Sequence, residues 1–130
     1  YGYARPAAGD TVQALRHHRF EDVLAMPGEA DLTAHVDFSA LAAAGKAAGL
    51  TVWPLLTQGA LLGRLGLAER AAVLARAVPG RMSAFEAACQ RLAGPEAMGH
   101  LFKALCLTAP GLPAPPAFDR PDPSIARDTS

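Results

Sequence analysis

The chain carries no surplus of charge, almost no cysteine and few aromatic residues. Basic and acidic residues balance at 12 each, so nothing in the net charge draws it to nucleic acid or to an anionic membrane. Its two cysteines, Cys89 and Cys106, stand alone in apolar surroundings. They read as reduced core residues, and a cytoplasmic setting follows. No apolar run approaches the ~20 residues of a membrane span, and no signal-peptide pattern opens the chain. A glycine-rich cofactor loop is missing too: "GALLGRLG" (59–66) has the wrong spacing for G-x-G-x-x-G and lies in a helical pattern. Nor is "AGKAA" (44–48) a P-loop, since Ala40 stands where the first glycine belongs and Ala47 where Ser or Thr should be. No His-x3-His or Cys-x2-Cys spacing gathers metal ligands, so no metal is expected.

What is there fits one folded domain. The 130 residues are 51% hydrophobic with a mean hydropathy of +0.15, long enough for a single core. Alanine supplies much of that count, which predicts a core of thin side chains. The chain opens at Tyr1 without a methionine, and the expectation is a piece of something longer.

Residues 1–10 read as loop. For 11–20, Thr11, Gln13 and Leu15 alternate with Val12, Ala14 and Arg16 as in a strand, although a short helix after Asp10 also fits; the strand is preferred. "MPGEAD" (26–31) is a turn. Asp37 has the position of an N-cap, and Val36 with Leu41 the spacing of a hydrophobic staple. Phe38, Leu41, Ala44 or Gly45, and Ala48 follow on one helical face, closed by Gly49. "LTVWPLLT" (50–57) is a β-rich run that Pro54 demotes to an edge strand. Helices are expected over 58–66 and from Leu67 to the "PG" at 79–80. "SAFE" (83–86) has the form of a capping box opening a helix over 84–92. "LFKALCLT" (101–108) has the apolar continuity of a strand covered on both faces. Residues 113–130 are proline-rich and aperiodic, a flexible or loosely packed tail. A doubly covered strand needs neighbours on both sides, so a further strand is expected before Tyr1.

The blocks "GDTVQALRHHR", "PGEADLTAHVDFSAL", "TQGALLGRLG" and "MGHLFKALCLTAPG", after the "YGY" opening, resemble the C-terminal half of the MidA-like family of S-adenosylmethionine-dependent methyltransferases. The likeness runs in family order from Tyr1 to about Leu112. "DLTAHVDF" together with Met98, Gly99, Phe102 and Lys103 of "MGxxFK" carries it. The resemblance implies an α/β fold: the C-terminal portion of a class I (Rossmann-like) methyltransferase sheet with flanking helices and an antiparallel final strand. Residues 1–112 would be part of the catalytic domain and 113–130 the tail. In that fold 50–57 is the outer edge, and 101–108 inserts between it and the strand that ends at Tyr1. The implied cofactor is S-adenosyl-L-methionine, held by the family's N-terminal half, so this chain has no cofactor-binding residue of its own. Mitochondrial members of the family are complex I assembly factors that methylate an arginine of a subunit. A protein substrate is therefore the implied partner.

The candidate site follows from "DLTAHVDF". Asp31, Thr33 and His35 share one face of an extended segment, because alternate residues do. Arginine methylation needs a carboxylate to hold the guanidinium and a group to accept or relay a proton. Asp31 or Glu29 is expected to hold, and His35 to relay. Tyr1 and Tyr3 are expected just past the carboxyl end of a central strand, where open α/β sheets place ligands. Asp31 and His35 are thus the catalytic candidates; Tyr1, Tyr3, Glu29 and Thr33 are the substrate-binding ones. Asp37 is a cap, Lys103 a structural lysine, and Arg64, Arg70, Arg76 and Arg81 a solvated helix face. The competing reading is a stand-alone helical or α+β interaction module without catalytic activity.

Overall fold

A computed structural model describes residues 1–3, 11–78, 80–122 and 125. The loop expected over 1–10 lies outside the described residues for 4–10, as does Pro79. Strand β1 (Gly2–Tyr3) is followed by β2 (Val12–Arg16), β3 (Arg19–Glu21) and β4 (Asp31–Ala34). The last three form an antiparallel sheet in the order β3-β2-β4. The preferred strand at 11–20 is present but stops at Arg16. There His17 (φ 49°) and His18 (φ 62°) make a two-residue turn in the left-handed region, whose twist suits a tight hairpin. The expected turn at 26–31 is found, and β4 begins at Asp31.

At His35 the chain leaves this sheet. Strand β5 (Val36–Asp37) pairs in parallel with β1, Gly2 opposite Val36 and Tyr3 opposite Asp37. A Cβ on Gly2 would run into the Val36 carbonyl, so this pairing requires glycine at position 2. Helix α1 (Phe38–Ala47) starts at once, with Asp37 as its N-cap. The Asp37 carboxylate accepts hydrogen bonds from the Ser39 hydroxyl at 2.6 Å and the Ala40 N–H at 2.9 Å. Those two bonds, the hydroxyl first, hold its carboxyl below the usual range. Leu41, the helical half of the expected staple, is 48% exposed, while Gly45 faces Leu107 and Val52.

Strands β6 (Thr51–Val52) and β7 (Leu56–Thr57) precede helices α2 (Gln58–Arg64), α3 (Leu67–Ala77), α4 (Met82–Ala93) and α5 (Met98–Leu101). Strands β8 (Lys103–Ala104) and β9 (Leu107–Thr108) then return antiparallel to β7 and β6. The registers leave three residues, 53–55, opposite two, 105–106. Pro54 sits in that bulge, where it need not donate to a ladder.

The result is a mixed α/β structure of small sheets rather than the single sheet expected. Among the described residues, β1 pairs with β5 and not with 103–108, and in 101–108 Leu101 and Leu107 are exposed while the rest are half-buried. The core is as thin as the alanine content predicts: Ala14, Leu56, Ala75 and Phe118 are its fully buried apolar residues among those described, with Leu56 the one large side chain wholly buried.

Two further expectations are corrected. The capping box is absent: α4 starts at Met82, with Arg81 at its cap position and no side-chain cap bond. Ser83 therefore lies inside the first turn, past the place from which a hydroxyl can cap. The tail is not loose over 117–122. Arg64 donates to the carbonyls of Ala117 (2.8 Å), Arg120 (2.7 Å) and Pro121 (2.8 Å), which takes it off the solvated face assigned to it. Phe118 is buried, and the buried Asp122 carboxylate accepts from the Thr57 N–H at 2.8 Å and hydroxyl at 2.7 Å. Proline-rich composition signals an absence of regular structure, not an absence of docking.

Asp37→Ala should lower the melting midpoint by a few degrees while Asp37→Asn holds it, because Asn caps about as well. Ser83→Ala should stay within about 0.5 kcal/mol of the parent, as an ordinary exposed position does. Since the Asp37 pKa is lowered on folding, its share of stability is present above the ordinary carboxylate pKa. That share should be lost as pH falls through the depressed value. Thermal melts across acid pH, compared with Asp37→Asn, read that difference.

Asp122→Ala should cost about 1–3 kcal/mol, since it leaves the buried Thr57 N–H and hydroxyl without their acceptor. Urea denaturation measures it. An unchanged midpoint would mean that water replaces the carboxylate.

Candidate functional site

The β1–β5 pairing places Tyr1 and Tyr3 on one face of a strand beside His35. The His35 ring meets both tyrosines edge-on, with centroids 4.8 Å from Tyr1 and 4.9 Å from Tyr3. His35 Nδ1 and the Tyr3 hydroxyl share a 2.6 Å hydrogen bond. The Tyr1 hydroxyl lies 3.1 Å from Gln13 Oε1, to which it donates, and 2.9 Å from Thr33 Oγ1. Phe102 packs edge-on against Tyr1 at 6.2 Å. Tyr1, Tyr3, Gln13, His35 and Phe102 line a pocket of about 640 Å³, together with Phe20, His100, Leu101 and Lys103.

The sheet explains why these side chains converge. Gln13 is paired with Thr33, and Leu15 with both Phe20 and Asp31, so these residues share one sheet face. That face turns toward Tyr1. From the other side, α5 and β8 bring His100 to Lys103. The lysine ammonium is 3.5 Å from the His100 carbonyl oxygen.

Of the six sequence candidates, Tyr1, Tyr3, Thr33 and His35 are brought together. Asp31 lies on the pocket-side face of β4, one alternation beyond Thr33, but does not line the cavity. Glu29 is in the preceding loop with a carboxylate oxygen 4.0 Å from Arg16 Nη1. Sequence reasoning missed Gln13, Phe20, His100, Leu101 and Phe102, and set Lys103 aside as structural. "MGxxFK" was the available signal, since Phe102 and Lys103 of that block form the far wall. Among the described residues no three His, Cys, Asp or Glu side chains converge as a metal set would.

Residues 1–55 match the sequence model of a family described as "Putative S-adenosyl-L-methionine-dependent methyltransferase". Over 100 residues the chain is 35% identical to the protein arginine methyltransferase NDUFAF7 homolog, mitochondrial, of Drosophila melanogaster. That match covers 75% of this chain and 23% of the Drosophila protein. Two solved structures from Burkholderia thailandensis, each 31% identical, superpose well. An uncharacterized protein does so with a TM-score of 0.80, over 95% of this chain and 33% of that one. A superfamily member bound to S-adenosyl-homocysteine has a TM-score of 0.76, over 89% and 30%. The chain belongs to this family of MidA-like S-adenosyl-L-methionine-dependent methyltransferases, and it spans 23% to 33% of the length of these relatives. The expected cytoplasmic setting is overturned: the Drosophila relative is mitochondrial by name, and reduced cysteines suit any compartment that keeps thiols reduced.

S-Adenosyl-L-methionine is the family's cofactor, but the pocket does not fit it as a whole. Among the described residues its lining contains no carboxylate for ribose hydroxyls and no glycine-rich turn, and Lys103 is its one charged side chain. A cationic sulfonium gains nothing from that lysine. The aromatic walls suit a planar or apolar group instead.

The wall of the site also depends on close packing behind it. A Cβ on Gly99 would run into the Ala93 carbonyl, while the Gly99 N–H donates to the Gly94 carbonyl at 3.1 Å. Gly99→Ala should therefore cost about 1–3 kcal/mol, as overpacking does. Chemical denaturation reads the loss. An unchanged stability would mean that α5 can move away from α4 freely.

Proposed function

We propose that this chain forms the acceptor-side part of a class I methyltransferase that transfers a methyl group to arginine in a protein. Residues 1–112 belong to its catalytic domain. The observation that carries this reading is the pocket in which Tyr1, Tyr3 and His35 meet Phe102, in a chain of methyltransferase descent. The Drosophila relative's description supports arginine as the acceptor. A TM-score of 0.80 over 95% of the chain supports the class I sheet, of which the small sheets would be a part.

Methyl transfer is a direct displacement, so orientation of the acceptor matters more than covalent chemistry. A guanidinium is planar and cationic and stacks on aromatic faces. Tyr1 is held by Gln13 and Thr33, and Tyr3 by His35, so two aromatic walls are fixed before an acceptor arrives. His35 accepts or relays the proton that the guanidinium must lose. With Nδ1–H donating to the Tyr3 hydroxyl, Nε2 of the neutral ring keeps the lone pair that takes the proton, and the imidazolium so formed passes it on to water. Asp31, at the outer end of the same sheet face, draws the cation in as it enters. Glu29, beside Arg16, serves the same approach from further out.

The test is methyl transfer by the full-length enzyme to protein substrates, with methylarginine analysis and a melting curve for each variant. His35→Gln should lower turnover by ~10²-fold, the usual scale for a lost general base. Asp31→Asn should reduce kcat/KM and leave the melting curve in place. Full activity in both variants would leave "DLTAHVDF" with a structural role alone.

A further inference from the structure

We infer that Phe20 is a specificity-determining residue of this pocket, forming its outer aromatic wall against the planar cationic side chain of a protein substrate. The inference rests on the arginine-acceptor reading above and adds a residue that neither the sequence motifs nor that reading assigns.

Among the described residues Phe20 is the most exposed aromatic side chain, at 74%, yet it lines the pocket. Its position is imposed rather than incidental. The two-residue turn at His17 and His18 fixes Arg16 opposite Arg19 and Leu15 opposite Phe20. A slip of one residue would send the phenyl ring to the other face of the sheet. The Arg16 guanidinium Nε lies 3.0 Å from both Glu21 carboxylate oxygens, which ties the outer strand to its neighbour next to Phe20. An apolar ring is thus held on a pinned strand, facing water on one side and the pocket on the other.

The charge distribution decides what such a ring accepts. Among the described residues Lys103, on the far wall, is the pocket's one charged lining residue, and it repels a second cation. An entering guanidinium is therefore favoured toward the opposite wall, the side of Phe20 and the tyrosines. There it finds aromatic faces, which attract a planar cation and do not select its neutral isostere to the same degree. Citrulline, with the same shape and no charge, is the natural comparison.

The experiment uses the full-length enzyme with S-adenosyl-L-methionine and a peptide containing arginine, followed as KM and kcat. Phe20→Ala should raise KM about tenfold, within the range of a cation–aromatic contact, with a smaller change in kcat. Phe20→Trp should restore KM. With S-adenosyl-homocysteine in place of the cofactor, calorimetry should give a preference for the arginine peptide over its citrulline form, and Phe20→Ala should narrow that preference. An unchanged KM in an active Phe20→Ala enzyme overturns the assignment while leaving arginine methylation standing. So does failure of Phe20→Trp to rescue, or a lowered melting point with KM and the peptide preference intact. No transfer to arginine by the parent enzyme overturns the acceptor reading, and this assignment falls with it.

Discussion

The site hangs on one close backbone approach, Gly2 against Val36. This parallel pair joins segments more than thirty residues apart, and it exists because position 2 has no Cβ to strike the Val36 carbonyl. Once it forms, Tyr1 and Tyr3 flank His35 without any further adjustment. The residues on either side of Val36 then take opposite duties. His35 faces the pocket, and Asp37 turns into α1 as its cap. The chain changes sheets at His35, so a single extended segment serves two structural layers and the site between them.

The far wall is positioned by a different device. Thr57 is paired with Lys103 across the β7–β8 ribbon, and the Gln58 N–H donates to the Phe102 carbonyl at 2.8 Å. Asp122 holds Thr57 from behind, while Arg64 gathers three carbonyls of the same tail segment. The tail therefore supports the strand that presents Phe102 and Lys103, although it does not touch the pocket cavity. With so few large side chains buried, polar clamps of this kind carry more of the positioning than they would in a chain rich in leucine and phenylalanine cores.

On the proposed reading, the pocket and the rest of the family's fold divide the chemistry between them. Among the described residues the lining has aromatic surface, two histidines and a lysine, but lacks the acid and the glycine-rich turn that a nucleoside cofactor calls for. That composition suits the methyl acceptor better than the donor. It also separates the two acids of the "EADLTAH" stretch from the interior, since Asp31 and Glu29 remain at the approach where charge acts over distance rather than by contact.

Sequence by itself determined the features that depend on neighbours a few residues apart. The Asp37 cap, the turn before Asp31, the glycines closing helices at Gly49 and Gly66, and the proline-marked weak point at Pro54 are all local chemistry. Its motifs also carried the family, and with it His35 and the two tyrosines as candidates. The start of α4 was misjudged even locally, because Ser83 and Glu86 satisfy a spacing rule that the backbone of Arg81 does not honour. Tertiary structure alone decided the rest. Composition says nothing of the register that turns Phe20 toward Tyr1, of the docking that buries Asp122 against Thr57, or of the approach that makes Gly99 obligatory beneath Phe102. Those depend on contacts between segments far apart in the chain, where the partner of a side chain is set by topology rather than by the pattern around it.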